Sequence, residues 1–360
     1  MYDYEEEYEK YFSNPSISQA NPSISGDKIF IVHGHDEGAK QTDARILEQC
    51  GSSGGAEETT AETTGDGTYT VGIIQQLEHV ALDEATKGFQ DTLTEKLGDK
   101  VTFDYQNAQN EQANCATIAT KFVSNNVDLI MANATTALQA SAAATGDIPI
   151  VGTSVTDYVT AGVIESNDAP GYNVTGASDL APVDQQIALL QKVVPNVQKV
   201  AIVYCSAEPN SQFQSQLAQA ELDKAGIAWE EFTAADSNEV QAVITNAITD
   251  CDAVYIPTDN TMANNMEIIK NVTVSAKIPV ICGEENMCAA GGLATLSISY
   301  YELGCKAGEM AYEILVNGAD PATMPIEYVS ENVTPKYNAE IAEALGITMP
   351  EDMVAIGAEE

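Results

Sequence analysis

Residues 148–184 read IPIVGTSVTDYVTAGVIESNDAPGYNVTGASDLAPVD, and this stretch decides how the chain is divided. Its first four residues form a short apolar run, which is typical of a buried strand. Its end leads into a helix, because Asp179 or Pro182 precedes an apolar-periodic run that begins near Ile187. The residues between are mostly Gly, Ser, Thr, Asn and Asp and make a long connection for a compact domain. We interpret the stretch as the first crossing between two lobes.

The sequence before this crossing recurs after it. Three strand-like runs each have a counterpart about 124–130 residues further along the chain, as in an internal repeat. The pairs are residues 71–75 and 200–204, 128–135 and 252–259, and 148–154 and 278–284. Runs with helical spacing of apolar residues alternate with these strands. One unit used twice predicts an α/β protein with two Rossmann-like lobes, each a parallel sheet wrapped by helices.

Two such lobes leave a cleft between them. Ligands of open α/β sheets bind beyond the carboxyl ends of the strands. The loops that follow the strands of both lobes are therefore the candidate site.

The charge of the chain limits its partners. The 15 Lys and Arg residues face 54 Asp and Glu residues, which gives a net charge of −39. Specific nucleic-acid binding needs basic contacts, so we exclude it. The acidic surface is explained most simply by solubility. Arg45 is the only arginine and lies outside the repeat, so no guanidinium can hold an anionic ligand group in the cleft.

The sequence gives no support for a metal site, a cofactor or catalysis. The seven cysteines form no C-x-x-C pair, and several fall in apolar runs where free thiols are usually buried. Residues 33–37, HGHDE, contain two histidines and two acids, but a polar loop is the simpler interpretation. His79 is the only histidine of the repeat region, and no hydrolase, zinc-protease or P-loop motif occurs. We predict a protein that is not an enzyme and needs no cofactor.

The first 68 residues do not look like part of the repeat. Residues 1–49 are expected to be disordered or an isolated βα fragment, and residues 27–49 resemble the start of TIR-like predicted nucleotide-binding proteins. Residues 50–68 have the composition of a flexible tether. Cys50 resembles the lipidated first residue of a mature bacterial lipoprotein. However, the preceding residues 47–49, LEQ, are not small, and no apolar signal segment stands upstream, so these residues contain no export signal.

From residue 69 onward the chain resembles the substrate-binding proteins of ABC transporters, in particular the tryptophan- and tyrosine-binding members. The motifs that carry the resemblance are GIIQ at 72–75, HVALD at 79–83, KGF at 87–89, NAQNE at 107–111, TTA at 135–137, VTD at 155–157, PGYNVTG at 170–176, EPNS at 208–211, YIPTDNT at 255–261 and YYELG at 300–304. They run in order over residues 69–347. The sequence departs from the family at Val80 and Tyr158, where proline is more usual, and these departures put the identity of the ligand in doubt.

The resemblance implies a type I periplasmic-binding-protein fold with three crossings between the lobes. The second and third crossings are expected near residues 284–292 and 319–327. Lobe 1 would then comprise residues 69–178 plus 288–322, and lobe 2 residues 179–287 plus 323–350. Residues 351–360 would be an acidic tail.

The candidate ligand-binding residues are those that end strands at the cleft. They are Gln75, Thr135, Thr136, Ser154, Asp157, Tyr158, Tyr204, Glu208, Asn210, Ser211 and Asp259. A free amino acid needs an acceptor for its ammonium group and donors for its carboxylate. Asp259 is placed to accept the ammonium group, although capping the next helix is an equally good role for it. Thr135 and Thr136, at a helix start, suit a carboxylate, and Tyr158, Tyr172 and Tyr204 could wall an aromatic pocket.

The leading hypothesis is a solute-binding protein of an ABC importer. It would capture an amino-acid-like ligand, with an aromatic one favoured, and deliver it to an ABC permease from the extracellular face of a bacterial membrane. A membrane contact would need a lipid anchor. The alternative is a ligand-sensing domain of the same fold that acts in signalling, and a more distant alternative is an enzyme acting on nucleotides, suggested only by the amino-terminal fragment.

Overall fold

The structure of the protein is a computed structural model that describes residues 67–329 and 333–357. The predictions for residues 1–49, for Cys50 and for most of the 50–68 tether lie outside the described residues. The described residues belong to one compact unit. None of its helices is both long enough and apolar enough to cross a bilayer, as far as the described residues go.

Six strands form the first sheet. They are β1 (Tyr69–Gln75), β2 (Val101–Asn107), β3 (Leu129–Asn133), β4 (Ile150–Val155), β5 (Val174–Ser178) and β11 (Glu327–Tyr328). Their order across the sheet is β11-β5-β4-β3-β1-β2, and every neighbouring pair is parallel. A parallel sheet is covered on both faces, which explains why β1, β3 and β4 are almost wholly apolar or buried along their length.

Seven strands form the second sheet. They are β6 (Lys199–Cys205), β7 (Ala228–Ala234), β8 (Ala253–Ile256), β9 (Val280–Cys282), β10 (Ala294–Leu296), β12 (Pro335–Tyr337) and β13 (Val354–Ala355). Their order is β13-β12-β10-β9-β8-β6-β7, and only the β10–β12 pair is antiparallel. In both sheets the first strand of the repeat lies between the second and third strands. The internal repeat predicted from the sequence is thus confirmed.

Eleven α-helices connect the described strands. They are α1 (Val80–Leu97), α2 (Gln112–Ser124), α3 (Thr135–Ala144), α4 (Val183–Val193), α5 (Pro209–Ala225), α6 (Val240–Ala247), α7 (Asn260–Ala263), α8 (Met266–Ala276), α9 (Glu285–Ala290), α10 (Tyr300–Asn317) and α11 (Ala339–Leu345). We call the first sheet with α1–α3 and α10 lobe 1, and the second sheet with α4–α9 and α11 lobe 2.

The strand pairings move three of the predicted lobe boundaries. β10 lies in the second sheet beside β9, so the second crossing is at residues 297–299 and not near 284–292. β11 pairs with β5 in the first sheet, although residues 323–350 were predicted to belong to lobe 2. β13 joins the second sheet from within the predicted acidic tail. These strands have two or three residues each, too few for a periodic pattern to show which sheet they join.

The helix α10 returns to lobe 1, as predicted, and packs along α1. Glycines make this approach possible, because a Cβ on Gly304 would lie 2.0 Å from the carbonyl oxygen of Ala85, and one on Gly88 would lie 2.1 Å from that of Tyr301. Phe89 and Leu303 are fully buried in the same core. The YYELG motif at residues 300–304 is therefore explained in part by helix packing.

We expect Gly304→Ala to lower the free energy of unfolding by about 1–3 kcal/mol, because the added methyl group meets the backbone of α1 and the two helices must separate. Gly146→Ala is the matched control, because nothing lies within 4 Å of its added Cβ. Its effect should stay within about 0.5 kcal/mol. Chemical denaturation of both variants measures the difference, and equal midpoints would contradict the close packing of α1 and α10.

Candidate functional site

A small cavity lies where the carboxyl ends of the two sheets face each other. Together with its opening to solvent it contains about 330 Å³ of atom-free space, of which about 20 Å³ admits the centre of a water molecule. The lining residues are His79, Ala81, Leu82 and Ser154 in lobe 1, Asn210, Thr258, Asp259, Asn260, Ala263, Glu284 and Met287 in lobe 2, and Asp179 and Tyr300 at the first two crossings. Ser154, Asn210 and Asp259 are the predicted ligand residues that the structure brings to this cavity.

Ser154 has an unusual backbone and an unpartnered hydroxyl group. Its φ of 55° lies in the left-handed region, and the register between β4 and β5 shifts between Gly152 and Val155. Such a bulge redirects one side chain of a strand and is common beside functional sites. Ser154 lines the cavity, the residue is only 6% exposed, and its buried Oγ has no hydrogen-bond partner.

Two further buried polar atoms at the cavity, on Asn210 and Thr258, make no hydrogen bond of standard geometry. Asn210 donates from Nδ2 to the carbonyl oxygen of Thr258 at 3.0 Å, and this leaves Asn210 Oδ1 without a donor. The hydroxyl oxygen Oγ1 of Thr258 is also buried and makes no hydrogen bond of standard geometry, but the Tyr300 hydroxyl lies near enough to interact with it. Buried polar atoms are nearly always hydrogen-bonded, so Ser154 Oγ and Asn210 Oδ1 in particular are open to a ligand.

Asp259 is a helix cap, as the alternative in the sequence analysis proposed. Its Oδ1 accepts from the backbone N–H of Met262 at 2.7 Å, the capping bond of α7. Its Oδ2 accepts from the backbone N–H of Cys205 and from the Ser211 hydroxyl, each at 2.7 Å. Burial and the nearby charge of Glu208 raise the pKa of Asp259. Ser211 does not line the cavity and contacts it through Asp259 and Asn210.

Glu208 also accepts hydrogen bonds from the amino end of α7, the helix that Asp259 caps. Its carboxylate accepts from the N–H and Nδ2 of Asn260 at 2.9 Å, and from the N–H and hydroxyl of Thr261 at 2.8 Å. A carboxylate offers about four acceptor sites, so these bonds fill it. Glu208 lines a wider polar groove, with about 1190 Å³ of atom-free space, together with Thr136 and Gln76. Its position supports a structural role at the cleft.

Glu284 faces His79 across the cleft. Its two oxygens accept from the N–H groups of Asn286 and Met287 and so cap α9. Burial raises the pKa of Glu284 to about 7, and burial also lowers the pKa of His79. The Nε2 atom of His79 lies 4.0 Å from Glu284 Oε1. From the sequence, Asp259 is the first choice for the ammonium partner, and Glu284 is only a fallback beside Glu208 and Asp157. Its position at the end of a repeated strand was the signal that pointed to it.

Asp179 and Tyr300 join the first two crossings. The Tyr300 hydroxyl donates to Asp179 Oδ2 at 3.0 Å, and the Thr156 hydroxyl donates to Oδ1 at 2.8 Å. Burial raises the pKa of Asp179. The sequence indicated Asp179 only as a helix entry and Tyr300 only as part of a motif. No pattern along the chain shows that the two crossings lie side by side.

The other predicted residues lie away from this cavity. The side chain of Gln75 forms all its hydrogen bonds within lobe 1. Its Nε2 donates to the Leu77 carbonyl and to the Asp83 carboxylate, and its Oε1 accepts from the Thr86 hydroxyl. Tyr158 is fully buried over Gly152 and Gly176, and its hydroxyl donates to the Ala177 carbonyl, so it is a core residue. Tyr204 donates to Glu231. The expectation of a tyrosine-walled pocket fails for these two, and Tyr172 is 54% exposed.

Three predicted polar residues also have local roles. Thr135 is the buried first residue of α3, and the N–H of Thr136 donates to Gln76 Oε1 at 3.3 Å. The Asp157 carboxylate accepts from the N–H of Thr160 at 2.6 Å, and burial raises its pKa. Neither Thr135 nor Asp157 lines the cavity.

The two sides of the cavity differ in polarity. Lobe 1 contributes the amino end of α1, where His79 is the capping residue and no side chain caps the helix. A helix amino end attracts negative charge. Lobe 2 contributes the carboxylates of Asp259 and Glu284 and the unpaired Asn210 Oδ1. Within residues 67–329 and 333–357, no group of three or more His, Cys, Asp or Glu side chains is arranged to hold a metal ion. The cavity suits a small dipolar molecule that lies across the cleft.

Comparisons with known proteins lead to one family. The family described as ABC transporter substrate binding protein matches residues 70–360. A tyrosine-binding protein from Clostridioides difficile is 39% identical over 264 residues, which cover 72% of this chain and 76% of that protein.

Two solved structures resemble the fold closely. An ABC domain in complex with L-Trp from Streptococcus pneumoniae has a TM-score of 0.77 at 34% identity, and the match covers 80% of this chain and 99% of the other. The ligand-free, open structure of a substrate binding protein with adhesive properties from Clostridium difficile has a TM-score of 0.64 at 36% identity, covering 81% and 100%. The fold is the type I periplasmic-binding-protein fold that the sequence predicted, and the chain belongs to the family of ABC transporter substrate binding proteins.

Proposed function

We propose that the cavity binds one free aromatic amino acid, whose ammonium group faces lobe 2 and whose carboxylate faces lobe 1. The observation that carries this proposal is the pair of buried polar atoms at the cavity that have no partner, Ser154 Oγ and Asn210 Oδ1. A zwitterion supplies both the donors and the acceptors that these atoms lack. Tyrosine and tryptophan are the first ligands to test, because relatives bind them.

The ammonium partner follows from the acceptor sites that remain. Glu208 has none left, and Asp259 has one, since it already accepts three bonds. Glu284 accepts two backbone N–H bonds, which leaves about two of its four sites for the ligand. We therefore assign the ammonium group to Glu284 first, with Asp259 and Asn210 Oδ1 beside it. This differs from the sequence-based expectation, which put Asp259 first.

The carboxylate end depends on donors that carry no full charge. The uncapped amino end of α1 lies on lobe 1, and Ser154 lines the same cavity. Hydrogen bonds from hydroxyl and N–H groups and the helix dipole favour a carboxylate there. The apolar side chains of Leu82, Ala263 and Met287 remain for the ligand's own side chain.

The lobes are proposed to close over the ligand by a hinge motion at the crossings. Two observations support this. The fold is more similar to the L-Trp complex, at a TM-score of 0.77, than to the open ligand-free structure, at 0.64, although both are about equally similar in sequence. The centre of a water molecule fits into only about 20 Å³ of the cavity. A ligand with an aromatic ring must therefore enter while the lobes are further apart than they are here. Asp179 and Tyr300 link two of the crossings about which the lobes would turn.

In this role the protein is a carrier and not an enzyme. Its partner would be an ABC permease, and its place the extracellular face of a bacterial cell membrane. These proposals rest on membership of the family.

Ser154→Ala tests the carboxylate end. The hydroxyl has no partner within the protein, so its loss should change the free energy of unfolding by less than about 0.5 kcal/mol. It should weaken tyrosine or tryptophan binding by about 1.5–3 kcal/mol, the usual value of a hydrogen bond to a charged group. Calorimetric titration and a melting curve measure both quantities.

Ser211→Ala is the control for this variant. Its hydroxyl donates to Asp259 and has a structural role, so its loss should lower the free energy of unfolding by about 1–3 kcal/mol. If Ser154→Ala lowers stability as much and leaves affinity unchanged, Ser154 does not contact the ligand.

Glu284 predicts how ligand affinity depends on pH. Its pKa in the ligand-free protein is about 7, so below pH 7 the ammonium group must displace a proton before it can pair with the carboxylate. The dissociation constant should therefore rise as pH falls through 7, by up to about tenfold per pH unit. Protonation of His79 at still lower pH acts in the same direction, because an imidazolium repels the ammonium group.

Glu284→Gln should reduce this dependence, leaving the part that Asp259 contributes through its own raised pKa, and should weaken binding at pH 8 by about 2–5 kcal/mol. The measurement is a series of titrations from pH 5.5 to pH 8.5 on the parent protein and the variant. An affinity that is independent of pH in the parent, or equal slopes in both proteins, would exclude Glu284 as the ammonium partner.

A further inference from the structure

We propose that the cavity also accepts aromatic amines, which carry the ring and the ammonium group but lack the carboxylate, with tyramine as the simplest example. This inference rests on the proposed function, because it concerns the same site and the same ammonium position. It extends the ligand class beyond amino acids.

The charges at the cavity are of one sign. Among the described residues that line it, the ionisable ones are Asp179, Asp259, Glu284, His79 and Tyr300, and no lysine or arginine is included. Lys336 lies in a neighbouring groove, where it is paired with Glu285 at 2.8 Å. The ammonium group of a ligand therefore meets carboxyl groups, whose charged form it favours, whereas its carboxylate meets no full positive charge.

Two helix amino ends of lobe 2 at the cavity, those of α7 and α9, are already used by the protein's own carboxylates, whereas α5, which carries Asn210, has no side-chain cap. At α7, Glu208 accepts the N–H groups of Asn260 and Thr261, and Asp259 accepts that of Met262. At α9, Glu284 accepts the N–H groups of Asn286 and Met287. A helix amino end is the usual protein site for an anion without arginine, and here both are filled before a ligand arrives.

Unpartnered atoms show the same imbalance. Asn210 Oδ1 can only accept, and Glu284 keeps about two free acceptor sites. The side-chain donors are the unpartnered hydroxyl of Ser154 and the hydroxyl of Thr258, which lies near Tyr300, and each of them can also accept. An ammonium group has three donors and no acceptor, so it complements this cavity fully. A carboxylate has acceptors only and depends on the two hydroxyls and the amino end of α1.

The two ends of an amino acid therefore contribute unequally to binding. Removing the carboxylate costs contacts with neutral groups, but it also removes a like charge from a cavity with three buried carboxylates. Removing the ammonium group leaves those carboxylates facing an apolar or anionic ligand, which is the costlier change.

The test is calorimetric titration of the full chain at pH 8 with L-tyrosine, tyramine and 3-(4-hydroxyphenyl)propionate, which share one phenol ring. Tyramine should bind with a dissociation constant within tenfold of that of L-tyrosine. The propionate, which lacks the ammonium group, should bind at least tenfold more weakly than tyramine. A dissociation constant for tyramine more than tenfold above that of tyrosine, or a propionate that binds within tenfold of tyramine, overturns the inference.

The same titrations separate this inference from the proposed function. If neither tyrosine nor tryptophan binds but tyramine does, the amino-acid proposal is wrong and the amine inference stands. If none of the ammonium ligands binds, both are wrong. Glu284→Gln should weaken tyramine and tyrosine alike, whereas Ser154→Ala should raise the dissociation constant of tyrosine by a larger factor than that of tyramine. Melting curves of the two variants show whether each is folded before its titration is interpreted.

Discussion

Buried carboxylates held by backbone N–H groups are the constraint on which the cleft depends. Asp259 is 1% exposed and Glu284 is 3% exposed, and the sequence offers no arginine in this part of the chain to neutralise them. Each must be stabilised by hydrogen bonds, because an isolated buried charge is very costly. The amino ends of α7 and α9 supply these bonds. The same arrangement leaves spare acceptor sites directed at the cavity, so the capping of lobe 2 and its capacity to bind an ammonium group have one cause.

Much of the fold could be predicted from the sequence because the chain contains an internal repeat of one strand-and-helix unit. The strands of residues 71–75 and 200–204 both became central strands of parallel sheets, β1 and β6, and the crossing after residue 178 lies where its composition placed it. The late boundaries could not be predicted. β10, β11 and β13 have two or three residues each, and which sheet each one joins depends on contacts with residues far away in the sequence. Local pattern contains no information on that choice.

The site was predicted as a region more reliably than as a set of side chains. Ser154, Asn210 and Asp259 follow strands and reached the cavity, since the ends of parallel strands meet at one edge of a sheet. Tyr158 lies in the turn after β4 and Tyr204 lies within β6, and their hydroxyl groups donate inside their own lobes, to the Ala177 carbonyl and to Glu231. Nearness to a strand end therefore does not decide where a side chain points. Asp179 and Tyr300 belong to different crossings, and only the folded chain brings them together.

The central claim is that a zwitterion spans the cleft with its ammonium group on lobe 2 and its carboxylate on lobe 1. A crystal structure of the protein with bound L-tyrosine tests it most directly. We expect the ligand nitrogen within about 3 Å of a Glu284 carboxylate oxygen, and a ligand carboxylate oxygen at a similar distance from Ser154 Oγ. A ligand in the opposite orientation, with its carboxylate toward Glu284, or one bound outside this cavity, would contradict the account.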